Sequence, residues 1–466
     1  MATIRLFRHY IPMAYVLLGM LEALAFVLAF HAGVEIRFWN ADPATVEKVL
    51  PIFPKAMVFA AALILSMGAM GLYQRHTRDG FEGLLLRTLA AFALSLLPLA
   101  LIFYFAPGLY LGRGALALAY LLSLLAVALL RAIFLRVSDQ SLLKRRVLVL
   151  GTGKKAAMIR GYRRASDMPG LNILGYVRMG DKDENIEREA IIELDRPLPE
   201  FVREHDIDEL VVAVDDRRRR LPVQALLDCK MSGIEVVDLL SFFEREMGEV
   251  KLDILDPSWL FLSDGFQRGA LRAYGKRLFD VTATLLMMPF MLPLMGLVAL
   301  AVYLESGCRG PVLYYQTRVG ENGKPFRIVK FRSMSVDAEK NGAQWASEGD
   351  SRITRVGHVI RKVRLDELPQ LFNILKGDMS FVGPRPERPE FVEKLEKKIP
   401  YYGERHRVKP GLTGWAQISY QYGASDEDAF RKHQYDLYYV KNYSLLLDLL
   451  ILVQTAEVVL MGKGAH

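Results

Sequence analysis

Asp366 and Glu367 stand side by side in RLDELPQLFNILKGDMSFVGPRPE, residues 364–387. Adjacent side chains point in different directions, so the two acids need not duplicate each other. One carboxylate could attack a phosphoryl group and form an acyl phosphate. The other could hold a Mg²⁺ that neutralises phosphate oxygens during transfer. A plainer reading competes. Leu368, Leu371, Phe372 and Leu375 fall at i, i+3, i+4, i+7, which predicts a helix to about Lys376, with Pro369 in its first turn and Gly377 ending it. Carboxylates at such a helix start gain about 0.3–1 kcal/mol from the helix dipole, and a cap alone would explain them.

What surrounds the pair argues for chemistry. RVGENGKPFRIVKFRSM, DSRITRVG and VKPGLTGWAQI each set cations beside glycine or proline, as rigid loops around an anionic ligand do. Arginine suits phosphate oxygens bidentately and lysine supplies a point charge. One such cluster could be a solvated basic face; repetition with Gly and Pro favours the ligand.

The chain of 466 residues is too long for one core and suggests two or three units. It is 52% hydrophobic yet 24% charged, as in a membrane protein with large polar parts. The net charge of +8 fits an anionic cytoplasmic leaflet and phosphorylated substrates. No nucleic-acid partner is expected, since the chain has no arginine-rich arm, zinc-finger spacing or aromatic RNP-like motif. Cys229 and Cys308 lie far apart without neighbouring His, which points to reduced thiols and no zinc site. The first apolar segment lacks a cleavage site and is expected to be retained.

Four apolar segments, about 11–31, 53–72, 88–106 and 114–135, each approach the ~20 residues that cross a bilayer. Arg5 and Arg8 precede them, Arg75, Arg78 and Arg87 lie between the second and third, and Lys144, Arg145 and Arg146 follow. Both ends of this bundle, residues 1–140, are therefore expected in the cytoplasm. The strand-like RRVLVL, NILGYV, IDELVVAV and GIEVVDL then alternate with helical stretches, predicting a Rossmann-like α/β domain over 145–262. Its turn, Gly151 to Ala156, matches the dinucleotide fingerprint only in part, and no acid stands at the tip of NILGYV to hold a ribose. A regulatory or assembly domain with an empty turn is the preferred reading. A fifth apolar run, about 279–304, carries Pro289 and Pro293, so a kink near Pro289 is expected. Its flanks leave a crossing and a re-entrant dip both open. In the last apolar run Asp448, Gln454 and Glu457 favour a core or interfacial helix.

The stretch from 274 to 466 resembles the bacterial sugar transferases known as monotopic phosphoglycosyl transferases. KRLFDVTATLLMMPFMLP, GPVLYYQTRVG, KFRSM, DELPQLFNILKGDMSFVGPRPE, KPGLTGWAQI and YDLYYVKNYSLLLDL carry the resemblance, in order. The four helices and α/β domain resemble the family's long form, the undecaprenyl-phosphate glucose or galactose phosphotransferases that begin exopolysaccharide, capsule and O-antigen synthesis. The resemblance implies a mixed α/β catalytic domain over 263–466 with a re-entrant membrane helix and interfacial helices, on the cytoplasmic face of the bacterial inner membrane. It implies transfer of a sugar 1-phosphate from a UDP-sugar to undecaprenyl phosphate, with release of UMP. Asp366 would be the nucleophile and Glu367 a Mg²⁺ ligand. Lys330, Arg332, Arg385 and Lys409 would contact phosphates or the nucleotide, Asp436 would match a further acidic position among the substrate-binding residues, and Pro289 would be the membrane hinge. Compact members have a serine before that proline where this chain has Met288. The α/β domain offers a surface for a homodimer.

Two rivals are weaker. Membrane-bound sugar-nucleotide dehydratases need a Tyr-x-x-x-Lys pair, which the chain lacks. A non-catalytic membrane scaffold of a polysaccharide assembly system would not require adjacent acids among cations.

Overall fold

A computed structural model describes residues 3–6, 9–42, 47, 49–73, 81–139, 144–161, 170–179, 185–215, 221–266, 269–308, 310–335, 338, 350, 352–420 and 425–460. The chain divides into two compact units, Tyr10–Met247 with Met1–Leu6, and Gly248–His466 with Phe7–His9.

After two short strands, Thr3–Leu6 and His9–Pro12, come the four expected apolar helices of the first unit: α1 (Met13–Phe38), α2 (Ile52–Ala69), α3 (Phe81–Phe105) and α4 (Arg113–Asp139). All are long and apolar enough to cross a membrane. Their packing hides one feature that uniform apolarity conceals. Arg131 on α4 pairs with Glu22 on α1 at 2.7 Å, and Tyr73 donates to the same carboxylate at 2.6 Å. Charges at such depth persist only when paired and hydrogen-bonded, and this pair fixes α1 against α4.

After α4 the hydrophobic period changes from helical to alternating, and a five-stranded parallel sheet forms. Its strands are β1 (Arg145–Leu150), β2 (Leu171–Val177), β3 (Ile191–Ile192), β4 (Glu209–Val212) and β5 (Glu235–Asp238), ordered β3-β2-β1-β4-β5. β1 and β4 are buried along most of their length, as central parallel strands are. Order reverses between β1 and β4, the switch point where doubly wound sheets place ligands.

The second unit starts at Gly248, so Gly248–Leu262, grouped by the sequence with the α/β domain, packs elsewhere. The Val250 amide bonds the Gln434 carbonyl, and Trp415 donates to the Gly248 carbonyl. The long helix α5 (Ala270–Glu305) runs unbroken through Pro289 and Pro293, so the prolines do not divide it into two elements. Asp280, Thr284, Met288, Met295, Val298 and Val302 form its buried stripe, while Leu278, Leu286, Phe290, Leu297 and Leu304 stay exposed. Both arms grip the same unit. Near the start, Lys276 pairs with Asp448 at 2.5 Å and Asp280 accepts from Ser380 and the Phe381 amide. Near the end, Met295, Val298 and Val302 share a core with Phe331 and Ile360. The last run folds as α9 (Leu445–Leu460), with Leu447, Asp448 and Ile451 buried, a core helix as expected.

Four elements position the acids: the antiparallel hairpin β6 (Leu313–Val319) and β7 (Pro325–Phe331), helix α6 (Arg355–Lys362) and helix α7 (Gln370–Lys376). Strand β8 (Ser380–Val382) pairs in parallel with β9 (Gly411–Thr413), and α8 (Asp426–Asn442) lies behind them. Asn373 on α7 acts as a false strand. It accepts from the Val329 amide at 3.1 Å and donates to the Arg327 carbonyl at 2.8 Å, fixing β7 to the acid-bearing turn. Asn373→Ala is expected to cost on the order of 2–4 kcal/mol, because both edge groups lose their partner. Chemical denaturation of the purified protein measures it.

Candidate active site

Helix α6 ends at Lys362, and Arg364 then adopts a left-handed conformation (φ 60°, ψ 18°) that few non-glycine residues occupy. That single residue turns the chain into a 3₁₀ turn, Leu365–Glu367, just ahead of α7. Strain of this kind persists where the surroundings enforce it, commonly at functional sites. The predicted terminator holds: α7 ends at Lys376 and Gly377 is left-handed, φ 96°.

The two acids sit in unlike environments. Glu367 Oε1 accepts from Lys330 Nζ at 2.8 Å and from Arg385 at 3.2 Å. Burial works against its ionisation, but these two cations outweigh burial and hold its carboxyl well below the usual carboxylate range. Asp366 is buried too, with 9% of its surface exposed, yet its carboxylate has no hydrogen bond or ion pair among the described residues. Burial, then the charge of Glu367, raise it from the ordinary 3.8 to about 6, against the pull of Lys330, Arg361 and Arg364. One acid is a fixed anion between two cations. The other is unencumbered and mostly ionised at neutral pH.

The Arg385 loop is held from three directions. Beneath it, a Cβ on Gly383 would lie 2.2 Å from the Lys409 carbonyl, so only glycine lets the two loops meet. From the side, Arg318 donates to the Pro386 carbonyl at 3.1 Å. From behind, Arg405 donates to the Arg385 carbonyl at 2.9 Å and to Tyr402 at 2.6 Å, and pairs with Asp436 at 2.8 Å.

Residues 271–462 match the bacterial sugar transferase family, and residues 68–226 match a CoA-binding domain. A UDP-glucose:undecaprenyl-phosphate glucose-1-phosphate transferase of Xanthomonas campestris pv. campestris is 34% identical over 369 residues, 74% of this chain and 73% of its own. The chain belongs to the bacterial sugar transferase family. Another relative is a UDP-N-acetylgalactosamine-undecaprenyl-phosphate N-acetylgalactosaminephosphotransferase of Aeromonas hydrophila, 45% identical over 52% of this chain. A third is an undecaprenyl-phosphate glucose phosphotransferase of Komagataeibacter xylinus, 43% identical over 41% of this chain. These two matches span 56% and 36% of the relatives' own lengths.

In this family member the predicted site residues fall into two groups. Asp366, Glu367, Lys330 and Arg385 come together. No hydrogen bond or ion pair joins Arg332, Lys409 or Asp436 to the acids. Arg332 lines a cavity of about 350 Å³ with Val302, Glu305, Ser306, Met334 and Thr354, and its buried Nη1 has no hydrogen-bond partner among the described residues. Lys409 reaches the far end of α7, where its ammonium would lie 3.5 Å from a Cβ on Gly377, next to Arg277. Asp436, expected among the substrate contacts, is instead buried against Arg405 as a brace of the Arg385 loop. Asp436→Ala leaves Arg405 as an unpaired buried charge and should destabilise the catalytic unit by about 3–5 kcal/mol; thermal unfolding in detergent reads this directly.

Sequence reasoning passed over Arg361 and Arg364, five and two positions before Asp366, whose charges help to hold it ionised. Arg318, Arg405 and Asn373 were missed as well. All three stand in motifs already quoted or beside them, but a brace and a ligand contact look alike in one dimension.

Proposed function

We propose that the protein transfers a sugar 1-phosphate from a UDP-sugar to undecaprenyl phosphate, through a covalent intermediate on Asp366. The observation that carries this reading is the contrast within the pair: an unpartnered, raised Asp366 carboxylate beside a Glu367 clamped by Lys330 and Arg385.

In the first half-reaction an Asp366 carboxylate oxygen attacks the β-phosphorus of the UDP-sugar. The bond from that phosphorus to the bridging oxygen breaks, and UMP leaves with the oxygen and its electron pair. In the second, an anionic oxygen of undecaprenyl phosphate attacks the same phosphorus. The acyl phosphate bond breaks, Asp366 regains its carboxylate, and the sugar departs on a lipid diphosphate. Neither step needs a proton, so the site must supply charge rather than a general base. Lys330, Arg385, Arg361 and Arg364 do so, stabilising negative charge on the transferred group.

Mg²⁺ fits this donor set. No cluster of three or more His, Cys, Asp or Glu able to hold a metal occurs among the described residues, which argues against an all-protein cage. Glu367 Oε2 remains open while Oε1 takes both cations, and a magnesium site typically adds phosphate and water oxygens to one or two carboxylates. Glu367 would hold the ion, which when bound supplies charge neutralisation at the phosphates.

Placement at the inner-membrane surface, with the catalytic unit in the cytoplasm, is supported by the basic flanks of α1 and α4. The grip of both arms of α5 on one unit supports a dip at Pro289 rather than a crossing, since a crossing would carry its ends to opposite faces. Incubation of the protein in nanodiscs with Mg²⁺, undecaprenyl phosphate and single UDP-sugars tests the proposal. UMP should form in step with a lipid-linked sugar diphosphate; UDP as the released nucleotide would sink it.

A further inference from the structure

The glycine turn after β1 lies where doubly wound domains bind nucleotide phosphates, and residues around it match a CoA-binding domain. We infer that this phosphate cradle is closed from within: the carboxylate of Asp215 fills it, and the domain takes no nucleotide phosphate there.

Asp215 follows β4, across the switch point from the turn. Its two carboxylate oxygens accept from the Lys154 and Lys155 amides at 2.9 and 2.8 Å, the first free N–H groups of the helix Lys154–Gly161. Lys155 Nζ adds a bond to the Asp215 carbonyl at 3.2 Å. These amides are the groups a bound phosphate would use. The glycines fit the internal occupant. A Cβ on Gly153 would stand 2.2 Å from Asp215 Oδ2, so the room that lets a pyrophosphate approach in dinucleotide binders is already taken by the carboxylate. Gly151, at φ 129°, would meet the Ala213 carbonyl at 2.6 Å, which keeps the turn pressed on β4. The turn is also stitched on both sides, Gly151 donating to Val177 and Ala213 to Leu150.

At the tip of β2, where a ribose-binding acid would be needed, stands Arg178, paired with Glu193 at 3.1 Å. An incoming phosphate would meet a carboxylate at contact distance and would have to displace its two hydrogen bonds to the Lys154 and Lys155 amides. The carboxylate satisfies the helix dipole as a phosphate does.

The test uses the full chain in nanodiscs with three probes: CoA, NAD⁺ and inorganic phosphate. Wild type should show no saturable binding of CoA or NAD⁺ by equilibrium dialysis and no phosphate-dependent rise in unfolding temperature. Asp215→Ser should unfold several degrees lower, with phosphate restoring most of the loss because an anion again reaches the two amides. Asp215→Asn, which keeps the side chain's shape but sets an NH2 donor against one of the two backbone N–H groups, should also unfold lower than wild type and covers the case in which the serine variant fails to fold. Saturable CoA or NAD⁺ binding to wild type that Gly153→Val removes would overturn the inference. So would an Asn variant that unfolds like wild type.

Discussion

Asp366→Asn should give a protein that is inactive yet harder to unfold. Among the described residues the carboxylate makes no hydrogen bond that the amide would lose, and the variant removes a charge that burial and Glu367 both oppose. Loss of the nucleophile should lower transfer by at least about 10³-fold, with no covalent species to resume turnover. The stability gain follows from linkage. A carboxyl whose folded-state pKa is raised, here from 3.8 to about 6, contributes stability that is present below 3.8 and lost as pH rises through 6. Wild type therefore bears the full cost above pH 6, on the order of 1–3 kcal/mol. Thermal unfolding at pH 8 should place the Asn variant above wild type, and the gap should close towards pH 4. A variant less stable than wild type at pH 8 would mean that the Asp366 carboxylate has a stabilising partner.

Lys330→Met should slow transfer by about 10²–10³-fold at pH 7 and move its pH dependence. Lys330 is one of the cations that hold Asp366 ionised, and it is a hydrogen-bond partner of Glu367. Without it the Asp366 pKa rises, so the acid limb of the single-turnover rate moves to higher pH and part of the loss is recovered in alkali. Lys330→Arg keeps the charge and should keep the limb near its wild-type position. An acid limb unmoved in Lys330→Met would show that some other group than Asp366 sets it.

Much of this was legible because it follows from local rules. Four uniformly apolar runs of bilayer length gave four helices, and the i, i+3, i+4, i+7 leucines with Gly377 gave α7 and its end. Strands β1, β2, β4 and β5 showed as apolar runs between helical stretches, whereas β3, two residues long, carries no periodic signal. What stayed hidden depends on residues brought together from far along the chain. Glu22 meets Arg131 and Asp215 meets the Lys154 amide only through tertiary structure. Arg364 owes its left-handed turn to its surroundings, since nothing in its own chemistry favours it. The same limit explains the candidate site. Lys330, Arg332, Arg385 and Lys409 all read as cations near glycine or proline, yet folding brings only two of them onto Glu367. Asp436 was placed at the substrate only through the family resemblance, and the partner it braces, Arg405, lies 31 positions away.

The covalent route is tested most directly by mixing the protein in nanodiscs with Mg²⁺ and UDP-sugars labelled in the β-phosphate, quenched before any undecaprenyl phosphate is added. Label should appear on wild type, be absent from Asp366→Asn, and leave the protein when undecaprenyl phosphate arrives. Lipid-linked product forming from a wild-type protein that never carries label would contradict it and favour direct transfer between the two substrates.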